Sequence, residues 1–190
     1  MEKKIRLFEN PFMESLTHVH PIFPIALWSP VLIYIFSNYF AWHKLSVALC
    51  GLLAWTLTEY IFHRFFFHFK AKKNWSKRLV YLFHGIHHDD PQDASRLVMP
   101  PIPSLILGFS LYGIFYIFLG KELTPLFFAF FIVGYLIYDY LHYFIHHIPL
   151  KYNWFRILRK NHLYHHTHEA EVFGVSSQLW DIILGTQRKK

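Results

Sequence analysis

LTPLFFAFFIVGYLIYDYLHYFIHH, residues 123–147, decides the fold. From Leu123 to Tyr138 it contains no Asp, Glu, Lys or Arg, and it reaches the ~20 residues that cross a bilayer core by including Asp139, Tyr140 and Leu141. His142 and His146 follow four residues apart, a separation of about 40° on a helix surface, so both imidazoles leave the same face. An apolar helix that ends in a converging histidine pair reads as a membrane span carrying a metal site at its end.

Three more stretches lack acidic and basic side chains: 21–42, 45–58 and 97–120. The first and third are long enough to span, and the second becomes so by including residues 59–62. Only His43-Lys44 and Lys121-Glu122 separate them pairwise, which predicts two tight helical hairpins, with Pro24, Pro30 and Pro103 near helix starts or at kinks. The expected fold is all-α and integral to the membrane, with four transmembrane helices in two hairpins and a cytoplasmic helical cap holding a dinuclear metal site. The whole chain, 1–190, reads as one domain: an N-terminal segment 1–20, a hairpin 21–62, a histidine-bearing segment 63–100, a hairpin 101–141 and a histidine-bearing segment 142–190.

Charge gives the orientation. Of the Lys and Arg residues, 17 lie in the N-terminal, 63–100 and C-terminal segments and 2 in the hairpin loops, which places both termini and every clustered histidine in the cytoplasm. Charged residues 2–14 lead into a run too long for a signal-peptide core, so the first helix is expected to be retained. A composition 54% hydrophobic and 16% charged excludes an ordinary soluble globule. Cys50 stands alone, which excludes a disulfide framework, and the net charge of +7 flanks apolar runs in a way that suits anionic lipid headgroups and not nucleic acid.

Fifteen histidines are the anomaly, and ten fall in four clusters: His63 and His68; His84, His87 and His88; His142 and His146; His162, His165 and His166. Both H-x-x-H-H triplets fit within about 100° of one helix face. The five-residue step from His63 to His68 turns about 140° on a regular helix, so these two either address different metals or flank a distorted turn. Ten neutral imidazoles exceed what one ion uses, so two metals are expected. The clusters also recur, each half supplying five histidines after an acid-Tyr pair, Glu59-Tyr60 or Asp139-Tyr140, as either an internal repeat or two independent solutions. Glu59 and Asp139 lie four and three residues before His63 and His142, where each either accepts that ring's outward N–H or caps its span at the interface. His147 and His168 adjoin clusters as ring-orienting partners or spare ligands; His43 is expected on the opposite side, and His18 and His20 at the interface.

The strings HGIHHDDPQDASRLVMPP, GYLIYDYLHYFIHH and LRKNHLYHHTHEAEVFGVSSQLWD, beginning at His84, Gly134 and Leu158, resemble the fatty acid hydroxylase superfamily of membrane di-iron proteins, in particular its fatty acid 2-hydroxylase branch. The resemblance implies that the ten clustered histidines are metal ligands and that O2 hydroxylates carbon 2 of an acyl chain, as in sphingolipids. It implies two iron ions, because zinc lacks the redox states for this chemistry and would at most replace iron in a purified sample. The substrate is expected to enter from the bilayer along Phe65, Phe66, Phe67, Tyr143 and Phe144, with Arg96 either holding its headgroup or snorkelling. Many eukaryotic relatives carry a fused cytochrome b5 domain, whereas 20 residues precede the first apolar run here. A separate donor such as a cytochrome b5 or ferredoxin is therefore expected, in a bacterial inner membrane first and an endoplasmic reticulum second. The competing readings are a carotenoid or sterol-type hydroxylase or desaturase of the same superfamily, and a membrane metal-binding or transport protein. The last would need ionisable residues through the middle of the spans, and these stretches contain no Asp, Glu, Lys, Arg or His.

Overall fold

The apolar runs form helices whose ends are set by proline and by loss of helical backbone. In the computed structural model, which describes residues 5–188, α1 is Pro11–Ser15, α2 Phe23–Tyr39, α3 Leu45–Ile61, α4 Asn74–Val80, α5 Ile86–Asp89, α6 Pro101–His147, α7 Asn153–His165 and α8 Leu179–Ile183. Among the described residues there is no strand. Asn10 caps α1 by accepting from the backbone N–H groups of Phe12 and Met13.

Two helical segments, Trp42–Phe67 and α6, are long and apolar enough to cross a membrane. Their apolar side chains face outward: little of either span is buried, and Ile106, Ile117 and Phe118 are 65%, 78% and 80% exposed. A soluble core helix would show the reverse, so lipid is the solvent of these faces and the chain is an integral membrane protein. α6 reverses direction at Gly120, whose φ of 68° lies where a side chain is disfavoured, leaving arms 101–119 and 121–147.

These bounds differ from those read in the sequence. The run 21–42 yields only 17 helical residues in α2, about 26 Å against a ~30 Å hydrocarbon core, because Phe40 and Ala41 are extended and break it before a short 3-10 turn at Trp42–Lys44. The run from Leu97 becomes helical only at Pro101, since Pro100 is extended and a proline at the first helical position starts the turn. The last run continues past Asp139 to His147, so His142 and His146 are part of the helix.

α2 and α3 both pack on α6. Trp28 and Ile35 of α2 meet Phe128, Ala129, Phe131, Ile132 and Tyr135 of the second arm, and the Trp28 indole donates to Ser104 Oγ at 3.0 Å in the first. The far ends of α3 and α6 then bring their histidines beside α5 and α7, whose buried face carries Phe155, His162 and His165.

Candidate metal centre

His63 and His68 share one direction because α3 does not continue as a regular helix. It widens into a π-helical turn over Phe62–Phe67, and the His68 N–H donates to the His63 carbonyl, five residues back, at 3.2 Å. A five-residue spacing matches an i→i+5 turn, so the two rings flank a distorted turn and fall in one group of histidines. A second π-helical turn, Tyr81–Gly85, carries His84 and passes into α5 with His87 and His88. Of the other five histidines, His142, His146, His162 and His165 sit on regular helix and His166 caps the end of α7.

The ten rings gather into two adjacent groups of five: His63, His68, His84, His88 and His165; and His87, His142, His146, His162 and His166. Within each group the facing nitrogens all lie within 4.8 Å of one another. Each half does not keep its own five. The middle histidine of each H-x-x-H-H triplet crosses over, His165 to the first group and His87 to the second.

The donors fit a metal ion. Neighbouring Nε2 atoms approach to 3.1 Å for His63 and His84, 2.8 Å for His165 and His68, 2.9 Å for His142 and His87, and 3.0 Å for His142 and His162. Nitrogens about 2.1 Å from one ion stand about 3.0 Å apart at right angles and about 3.4 Å apart at tetrahedral angles. The observed edges fall in the range set by donors that share one ion, so each group of five is compatible with a metal site. Burial pushes His84, His87 and His162 well below the usual imidazole range, and neighbouring imidazoles push them further, so they are neutral donors.

Beside the first group lies an apolar groove of about 740 Å³ between α4 and the first arm of α6. Phe65, Phe66, Phe67, Phe83, Met99 and Ile106 are among its walls. Phe67 separates groove from metal centre, its ring stacked on His84 with centroids 5.0 Å apart.

The family model for fatty acid hydroxylases matches residues 48–186. The chain belongs to the fatty acid hydroxylase family. It is similar to a dihydroceramide fatty acyl 2-hydroxylase of Arabidopsis thaliana, FAH2, at 38% identity over 95% of this chain and 79% of that one. It is 29% identical to the fatty acid 2-hydroxylase of Rattus norvegicus over 97% of this chain and 57% of the relative. A solved structure of full-length scs7p, with only the hydroxylase domain visible, superposes with a TM-score of 0.88 at 35% identity, covering 96% of this chain and 71% of that one. With these relatives the protein is an enzyme, a hydroxylase.

Several side chains singled out in the sequence do other work in this fatty acid hydroxylase. Arg96 reaches neither groove nor metal centre. Its guanidinium donates to the Ile5 carbonyl at 2.6 Å, to Thr17 Oγ1 at 3.3 Å and to the Glu14 carboxylate, and it meets His18 Nε2 at 2.9 Å, so it clasps the N-terminal segment. Phe65, Phe66 and Phe67 line the groove, but Tyr143 packs on His147 and Phe144 on the core of Ile145, Phe155 and Val175. His168 stacks on Tyr164, and neither it nor His147 joins a group of five.

The two acids are also reassigned. Asp139 accepts from the Tyr135 hydroxyl at 3.3 Å and from the Met99 backbone N–H, so it anchors a groove wall and not the His142 ring. Glu59 accepts from the backbone N–H groups of Val175 and Ser176, at 2.6 and 2.8 Å, and from the Ser176 hydroxyl. The His63 Nδ1 atom faces the Phe173 carbonyl instead. Sequence reasoning missed that residues 171–176 form a loop held by two buried carboxylates, Glu59 and Asp181. Its one visible sign was Asp181, an acid that no metal spacing used.

Proposed function

We propose that the chain is an O2-dependent lipid 2-hydroxylase that holds two iron ions in its two groups of five histidines and acts on the fatty acyl chain of a sphingolipid or related lipid. The observation that carries this reading is the groove: an apolar channel walled by exposed phenylalanines and ending on the ring that covers His84. The named activities of the Arabidopsis and rat relatives support the substrate class and the position.

When bound, iron supplies the redox chemistry that lets one oxygen atom enter a C–H bond while the other leaves as water, with two electrons and two protons drawn from a donor. This chain's part is placement. The acyl chain lies along Phe65, Phe66, Ile106 and Leu107, Phe67 sets its approach to His84, and the apolar walls exclude water from the reacting carbon. Met99 closes the groove near the helix start, held there by Asp139. Electrons come from a separate partner of the cytochrome b5 or ferredoxin type.

Fragmentation mass spectrometry of lipids from expressing cells is expected to find the new hydroxyl on carbon 2 of an acyl chain; hydroxyl elsewhere, or none, sinks the assignment. Ile106→Trp fills the groove without touching a histidine, and it is expected to lower turnover about 10-fold or more with metal content unchanged. Full turnover in that variant would move the substrate out of the groove.

The single domain of 1–190 sits, on this reading, in a bacterial inner membrane or, second, an endoplasmic reticulum, with four helical passes and both termini and the metal centre cytoplasmic. The distribution of Lys and Arg supports the orientation. Cysteines introduced at Lys44 and Lys121 are expected to react with an impermeant reagent from the side opposite to one at Lys72, and labelling of all three from one side would reverse the scheme.

A further inference from the structure

The two groups of histidines differ in what meets the ring nitrogens facing away from each centre. In the second group, the Nδ1 atoms of His146, His162 and His166 are buried without a hydrogen-bond partner. In the first, His63 Nδ1 meets the Phe173 carbonyl and His165 Nδ1 meets the Glu171 carbonyl at 2.8 Å. The Glu169 carboxylate stands beyond hydrogen-bond distance of two more, 3.6 Å from His68 Nδ1 and 3.7 Å from His88 Nδ1, and His88 Nδ1 is itself buried without a hydrogen-bond partner. The two carbonyls that do accept come from one short segment, residues 171–173. An acceptor on Nδ1–H fixes the tautomer, aims the ring and makes its Nε2 a stronger donor.

Between the two carbonyls lies Val172, buried, with a φ of 58°, the one positive value outside glycine among the described residues. A β-branched residue avoids that region and stays there only where its surroundings over-determine it. Those surroundings are specific. The Val172 N–H donates to the Thr186 carbonyl at 2.7 Å, and Asp181 accepts from the Phe173 and Gly174 N–H groups, both at 2.8 Å, and from the Thr186 hydroxyl at 2.7 Å. A Cβ on Gly174 would stand 1.9 Å from the Ser177 carbonyl oxygen, so the loop closes only with glycine there.

We infer that the Val172 turn, locked by Asp181, is a positioning device that turns the carbonyls of Glu171 and Phe173 onto His165 and His63 and makes their group the tighter-held of two unequal metal positions. Asp181 acts through the loop and touches no ligand ring. The inference rests on the two-iron reading above and adds an order of metal release to it.

The test is chelator challenge of the iron-loaded full chain in detergent, following iron retained against time. The wild type is expected to release iron in two phases, the slow one missing from His63→Ala and the fast one from His142→Ala. Asp181→Asn keeps the shape but cannot accept from every donor, and it is expected to speed the slow phase about 10–100-fold while the fast phase stays put. Thr186→Val removes one donor from Asp181 more gently and is expected to move the slow phase the same way by a smaller factor, which decides the matter if Asp181→Asn does not fold. A single-phase wild type, an unmoved slow phase, or equal acceleration of both phases would overturn the inference. Uptake of fewer than two iron ions by the wild type would instead overturn the two-iron reading.

Discussion

His162→Ala is expected to leave the protein with about one iron per chain and turnover below ~1% of wild type, a loss beyond the ~10–100-fold typical of a partner that only orients a ligand. The reason is its place in the second group. His162 Nε2 lies 3.0 Å from His142, 2.9 Å from His146 and 3.0 Å from His166, so it faces three of the other four donors. Alanine removes the nitrogen to which they are arranged and opens a cavity at a fully buried position. Elemental analysis beside product measurement checks it. Two irons with normal turnover in this variant would take the second group out of the reaction.

Glu59→Ala is expected to destabilise the protein by about 3–5 kcal/mol, whereas Glu59→Gln is expected to cost about 1 kcal/mol or less. Alanine strands two backbone N–H groups and a hydroxyl in the interior, each worth about 1–3 kcal/mol when left unsatisfied. Glutamine can keep most of this. Both N–H groups donate to the same oxygen, Oε1, which an amide oxygen can replace, and the Ser176 hydroxyl can rotate to accept from the amide nitrogen. Denaturation of the two variants side by side in one detergent gives the comparison. Equal losses would mean that the carboxylate charge, and not its acceptor geometry, holds the loop.

Much of this arrangement could be read from residue spacing. The step of four that joins His142 to His146, His84 to His88 and His162 to His166 gave the shared direction of six rings, because helix geometry is local. His63 and His68 stayed ambiguous for the same reason: a five-residue step is natural only once the helix widens, as it does over Phe62–Phe67. The exchange of His87 and His165 between halves could not be read at all, since it depends on how α5 and α7 lie against each other. Arg96 misled because a guanidinium near an interface suggests a headgroup, while its partners, Ile5 and Glu14, are some 80 to 90 residues away along the chain. Asp139 and Glu59 stood at the right distance from a histidine along their helices, and the side chains turned to Met99 and to the loop at Val175 instead.

The crossing of His87 and His165 also bears on how the protein is made. Four donors of the first group leave the ribosome by residue 88, but the fifth is residue 165, and the second group waits for residue 166. Neither set of five is complete until the chain has been made to residue 165 or 166 and its second half brought against the first. On the proposed two-iron reading, loading with metal would wait until near the end of translation, and a nascent chain would hold no finished set of donors.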